Sequence, residues 1–142
     1  MEIRPYIHKV HYYETDKMGI THHSNYIRWM EEARVDYLDQ IGYPFKKFEE
    51  MGLLSPVLGV ECSYKETTAF DDVIEIYASI IEFKPVKFVI SYKMVNQKTG
   101  HVVCEGISRH GIVDLEYKPV RIKRDYPDFY EVMMAHVVSD KQ

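Results

Sequence analysis

Chemically capable side chains crowd one short stretch of this 142-residue chain: Asp16, His22, His23 and Asn25, with Gly19 among them. On local pattern alone Asp16 reads as a turn aspartate within Thr15-Asp16-Lys17-Met18-Gly19, its carboxylate bonding to nearby backbone. The alternative is chemical. Asp16 would be a base or nucleophile facing a carbonyl held at a helix start, where free amides and positive potential gather. Gly19 would then let the backbone approach a ligand closely. His22 and His23 are adjacent, so in a regular element their rings point to different sides. Together with Asp16, His8 and His11 they show no HxxxH-type spacing, so no metal site is expected. His23 is expected to contact substrate or to serve structure; Asn25 and Tyr26 are expected to contact ligand, or to cap and pack.

The element that must position these groups follows at once. Tyr26, Met30, Ala33, Tyr37 and Ile41 recur at steps of three and four, with Ile27 and Leu38 beside them. That spacing predicts one apolar stripe along a helix of roughly five turns. Ser24 or Asn25 is the expected cap, and Gly42 the expected stop. Arg28, Glu31, Glu32, Asp36 and Asp39 fall on the other face, which should be solvated. Asp16 therefore stands a few residues before the positive end of a buried helix.

The remaining chain reads mostly as strand. Residues 6–13 alternate apolar and polar, and Pro44 opens a short helix over residues 45–51. Strands are predicted over residues 57–67, 73–83, 87–96 and 101–114, with a small one at 119–122 and a terminal helix over 128–138. Residues 96–100 have hairpin-turn composition. One strand, one long helix and four successive strands give an α+β class: an antiparallel curved sheet wrapped around one long central helix. The whole of residues 1–142 reads as a single domain. Such a sheet leaves a long strand edge, so a homodimer is expected, with residues 73–83 or a neighbouring strand at the joint.

Composition narrows the function. Hydrophobic residues make up 46% and charged residues 28%, as in a soluble globular protein. Cys62 and Cys104 stand apart in strand-like runs without CxxC spacing, so the chain reads as cytoplasmic and reduced, with neither zinc nor disulfides. No signal peptide and no apolar run long enough for a membrane span is visible. A net charge of −4 argues against general nucleic-acid binding. A phosphate-bearing small ligand needs only a local cluster, for which Lys84, Lys87, Lys123 and Arg124 are candidates at expected strand ends. P-loop, GxGxxG and GxSxG patterns are absent from the sequence.

The run Tyr13-Glu14-Thr15-Asp16-Lys17-Met18-Gly19-Ile20, followed by His23-Ser24-Asn25-Tyr26-Ile27-Arg28-Trp29, resembles the signature of hotdog-fold acyl-CoA thioesterases. It is closest to the 4-hydroxybenzoyl-CoA thioesterase family and its relatives associated with the Tol–Pal cluster. Thr15, Asp16, Gly19, His23, Asn25 and Tyr26 match that motif in place. The resemblance implies a hotdog domain that dimerises by joining two sheets edge to edge, often as a dimer of dimers, with active sites at the dimer interface. It implies Asp16 as the catalytic carboxylate, the His23 amide as the group polarising the thioester carbonyl, and no metal or organic cofactor. Gly19, Asn25, Tyr26, Lys84 and Lys87 complete the expected substrate site for an acyl-CoA. Two alternatives stay open on sequence: hydrolysis of acyl-carrier-protein thioesters, and acyl-CoA binding without turnover.

Overall fold

The computed structural model describes residues 2–138. Helix α1 (Ser24–Gln40) buries Tyr26, Met30, Ala33 and Tyr37 as the stripe predicts. It also buries Trp29, which the stripe did not include. Gly42 adopts φ +90°, a left-handed turn that releases the chain from the helix. The other end differs from expectation. His23 precedes the first turn without a side-chain cap, and Ser24 already lies inside the helix. Asn25 does not accept a helix amide. Its side-chain amide donates instead to the carbonyls of Glu14 (2.9 Å) and His22 (3.3 Å).

Five strands form one antiparallel sheet: β1 (Tyr6–Lys9), β3 (Val57–Tyr64), β4 (Val73–Lys84), β5 (Lys87–Asn96) and β6 (Val102–Gly111). A separate two-stranded ribbon pairs β2 (Leu53–Leu54) with β7 (Val113–Asp114). The sheet order is β1-β4-β5-β6-β3. β4, β5 and β6 follow one another as hairpins, but β3 does not pair with its successor β4. The chain crosses from one edge of the sheet to the other side of β5 and β6. Alternation along a strand identifies its buried face but not its neighbour, so this crossover carries no signal in the sequence.

This order bears on which strand edges are free for a partner. The first part of β4 is paired on both sides, with β1 through Val73–Ile76 and with β5 along its length. The edge strands are β1 and β3, and β3 exposes Val57, Leu58 and Tyr64.

Helix α1 packs against β1, β3 and β4, touching both edges of the sheet and its interior. A sheet can do that only by curving, and register shifts in β3, β4 and β6 against their partners supply local bends. Close approach at the centre depends on Gly106. A Cβ there would lie 3.0 Å from the Met30 Sδ and Cε atoms and from the Glu61 carbonyl.

The first strand ends earlier than predicted, because the backbone around Glu14 closes local bonds in a 3-10 turn (Tyr12–Glu14) instead of a ladder. Helix α2 (Phe45–Glu50) follows Pro44 as expected. No strand forms over 119–122. Pro119 makes a single bridge to Val113, and α3 (Ile122–Asp125) begins directly after. Lys123 and Arg124 are thus helical rather than at strand ends. Helix α4 (Pro127–Ala135) buries Phe129 and Met133, with the Phe129 ring against Phe83, Tyr43 and Phe48.

Candidate active site

Asp16 opens a tight loop that folds on itself. Its N–H donates to the Ile20 carbonyl, its carbonyl accepts the Gly19 N–H, and Thr15 bridges Thr21. The carboxylate is half-buried, and Oδ1 accepts the Met18 N–H at 2.9 Å. Oδ2 takes no hydrogen bond among the described residues. The turn reading of Asp16 and the chemical one are therefore compatible, since one oxygen fixes the turn and the other is available. Gly19 holds φ +79°, which disfavours any other residue. The space above it is open rather than closely approached.

The loop's far end is anchored by a buried chain of hydroxyls. The Thr21 N–H and Oγ1 both donate to the Thr68 carbonyl. The Thr68 hydroxyl lies 2.6 Å from Thr21 Oγ1 and 2.9 Å from the Tyr26 hydroxyl. Tyr26 is only 4% exposed, and burial raises its phenol pKa. Its ring packs on Trp29 and Tyr64. The structure thus uses Tyr26 to hold the helix to the loop, and Asn25 to hold the helix start to Glu14.

At the helix start the His23 N–H donates to no protein group among the described residues. The amides on either side are engaged: His22 N–H with the Glu14 carbonyl, and Ser24 N–H with the His22 ring. An unpaired amide at the end of a long helix is a ready donor to a developing oxyanion. The His22 and His23 rings do not diverge. They stack with centroids 4.3 Å apart, because both precede the regular helix. No three His, Cys, Asp or Glu side chains among the described residues form a metal-holding group.

Two depressions flank this helix end. One, of about 290 Å³, is lined by Ile20, Thr21, His23, Tyr26, Tyr64 and Thr67. The other, of about 400 Å³, starts at Ser24 and runs along α1 past Ile27 and Met30 to Arg34, with Val57 and Val60 of β3 opposite.

Lys84 and Lys87 are not beside Asp16. They face each other across the tip of the β4–β5 hairpin, whereas Val73 begins β4 next to the Asp16 loop. A strand of twelve residues separates the two ends by about 35 Å. Lys123 lies over the Tyr130 ring, and Arg124 is bonded to Asp125 through both oxygens. In one protomer, then, the Asp16 loop is tied to the start of α1 by the Thr15–Thr21 bridge and the His22 N–H to Glu14 carbonyl bond, and the basic candidates stand at the far end.

Sequence reasoning passed over one residue, Glu14. The residue is 4% exposed, and its side chain accepts three hydrogen bonds: the His11 N–H (2.8 Å), the His8 ring (2.9 Å) and the Trp29 indole (2.8 Å). Burial works against its charge, but the His11 amide, Trp29 and His8 outweigh burial and hold its pKa below the ordinary value. A charged residue next to the exposed Tyr12 and Tyr13 carries no sequence signal of burial.

Residues 10–136 match the sequence family described as the thioesterase-like superfamily. The Bacillus subtilis (strain 168) protein YneP, which bears the provisional name of an acyl-CoA thioesterase, is 32% identical over 123 residues, 86% of this chain and 88% of its own. The crystal structure of a DHNA-CoA thioesterase from Staphylococcus aureus superposes with a TM-score of 0.87 at 28% identity, covering 93% of this chain and 89% of that one. A crystal structure of an Aquifex aeolicus protein of unassigned function gives 0.82 at 35% identity, covering 90% and 97%.

Proposed function

The chain belongs to the thioesterase-like superfamily, and from that premise we propose that it is an acyl-CoA thioesterase with Asp16 as its catalytic carboxylate. The observation that carries this reading is that, among the described residues, a carboxylate oxygen is left free by its own turn and an amide is left free at the start of α1, to which that turn is tied by the Thr15–Thr21 bridge. Within the superfamily, the Thr15, Asp16, Gly19, His23, Asn25 and Tyr26 motif favours the 4-hydroxybenzoyl-CoA and Tol–Pal-associated branch.

In this reading the thioester carbonyl oxygen accepts the His23 N–H, and positive potential at the helix end stabilises the charge that develops there. Asp16 either takes a proton from water or attacks the carbonyl carbon itself. In both cases the carbon–sulfur bond breaks, the thiol leaves with a proton, and water supplies the second oxygen of the acid. The groove along α1, apolar at Ile27, Met30, Val57 and Val60, receives the acyl group.

The reading includes a homodimer joined through β3. An uncovered strand with exposed Val57 and Leu58 favours pairing with a second copy. Antiparallel pairing about a two-fold axis would set the Val57 end of one β3 beside the Tyr64 end of the other. Lys84 and Lys87 of each protomer would then lie toward the partner's Asp16, where the phosphates of CoA would reach them.

The test is a hydrolysis screen over short, medium, long and aromatic acyl-CoAs, with release of free thiol followed. The same acyl groups carried on acyl-carrier protein run in parallel. Turnover on CoA thioesters is expected. Saturable binding of every acyl-CoA without thiol release would overturn the enzymatic reading.

A further inference from the structure

Among the described residues Asp16 is bonded only within its own loop: to Ile20, Gly19 and Met18. The loop's internal shape is therefore self-contained, and its placement against α1 must be set at its two ends. The Thr21 end is tied to Thr68, as described above. The other end is Glu14, two residues before Asp16.

Glu14 collects bonds from three elements. His8 comes from β1, the His11 amide from the 3-10 turn, and the Trp29 indole from α1. Its backbone carbonyl adds the His22 N–H at 2.8 Å and the Asn25 side chain at 2.9 Å. These last two bonds hold the residues on either side of the His23 amide. One residue thus links β1, the loop that carries Asp16, and the helix start that carries the proposed oxyanion donor.

We infer that Glu14 is a positioning residue, whose buried carboxylate fixes Asp16 against the His23 N–H. The inference rests on the reading of Asp16 given above. A buried carboxylate is a costly way to fill space, and an apolar residue of similar volume often stabilises a fold equally well. What the carboxylate adds is directional. It has three donors from different elements, which a hydrocarbon cannot orient. Reactive geometry is sensitive to such orientation, since a displacement of about 1 Å can cost on the order of 100-fold in rate.

The experiment is a double-mutant cycle on kcat with Glu14→Gln and Asp16→Asn. Glutamine keeps the size of the side chain, but one oxygen becomes an NH2 group that faces a donor. Glu14→Gln is expected to lower kcat by roughly 10- to 100-fold with KM within about threefold. In the Asp16→Asn background it should change the residual rate by less than about threefold, because the group it positions is gone. An equal loss in both backgrounds would assign Glu14 to general stability and overturn the inference, as would a Glu14→Gln enzyme with wild-type kcat. Failure of the Asp16 reading is seen separately, in the Asp16→Asn single variant. If Glu14→Gln does not fold, Trp29→Phe removes one donor and keeps a buried ring. It should show the same dependence on Asp16 with a smaller loss, and a loss independent of Asp16 would count against the inference.

Discussion

Replacing Asp16 by asparagine separates a turn residue from a catalytic one because the two roles use different oxygens. Oδ1 accepts the Met18 N–H at 2.9 Å, and the asparagine carbonyl oxygen can keep that bond. The second oxygen has no protein partner among the described residues, so an NH2 group in its place breaks nothing. The backbone bonds to Ile20 and Gly19 do not involve the side chain. Stability should therefore change by no more than about 0.5 kcal/mol, a melting shift of roughly 2 °C. Catalysis should respond quite differently. Loss of the charge that activates water or attacks the carbonyl should cost about 100-fold or more in kcat, equivalent to about 2.7 kcal/mol of transition-state stabilisation. Binding of a non-hydrolysable acyl-CoA should stay within a few-fold. The assay is thiol release under saturating substrate, with ligand Kd and melting temperature measured on the same preparations. A folded Asp16→Asn protein that turns over at near the wild-type rate would refute the assignment, and acyl-CoA binding without catalysis would become the better reading.

Other expectations follow from the packing and the ionisable core. Burial, and then the charge of Arg34, lowers the His110 pKa to about 4. The unfolded chain binds that proton below about pH 6.5 and the folded one does not, so stability should fall as pH drops from about 6.5 toward 4. His110→Gln should flatten that part of a melting-temperature profile, and an unchanged slope would show that another group titrates there. Glu14 acts lower on the scale. Its depressed pKa contributes stability above the ordinary glutamate value that is lost as pH falls through the folded one, so Glu14→Gln should flatten only the most acidic limb. Gly106→Ala forces a Cβ to within 3.0 Å of Met30 and the Glu61 carbonyl, and overpacking of this kind costs about 1–3 kcal/mol. Calorimetry showing no destabilisation would mean that Met30 yields freely. Leu58→Asp places like charges near the proposed two-fold joint on an exposed side chain. Sedimentation should show weakened dimers, and activity should fall with dissociation; a fully active monomer would remove the interface model.

The sequence by itself determined the long helix, the four long strands and the local shape of one loop. A stripe at steps of three and four can face only one side of α1, and alternation over residues 87–96 can bury only one face of β5. Asp16, Gly19 and His23 were legible because a turn, a left-handed glycine and a helix start are local properties, each set by a few adjacent residues. Tertiary structure decided everything that depends on which distant segments meet. Local pattern assigns a strand its faces but not its neighbours, so the crossover from β3 to β4 and the free β3 edge appear only in the fold. The same limit separates Lys84 and Lys87 from Asp16, since residue type cannot reveal that a strand's length lies between them. Glu14 shows the point at the scale of one side chain. Nothing in its neighbours along the chain marks it as buried, because its donors come from β1 and α1 as well as from the turn. A carboxylate becomes stable out of water only when folding brings those donors to it.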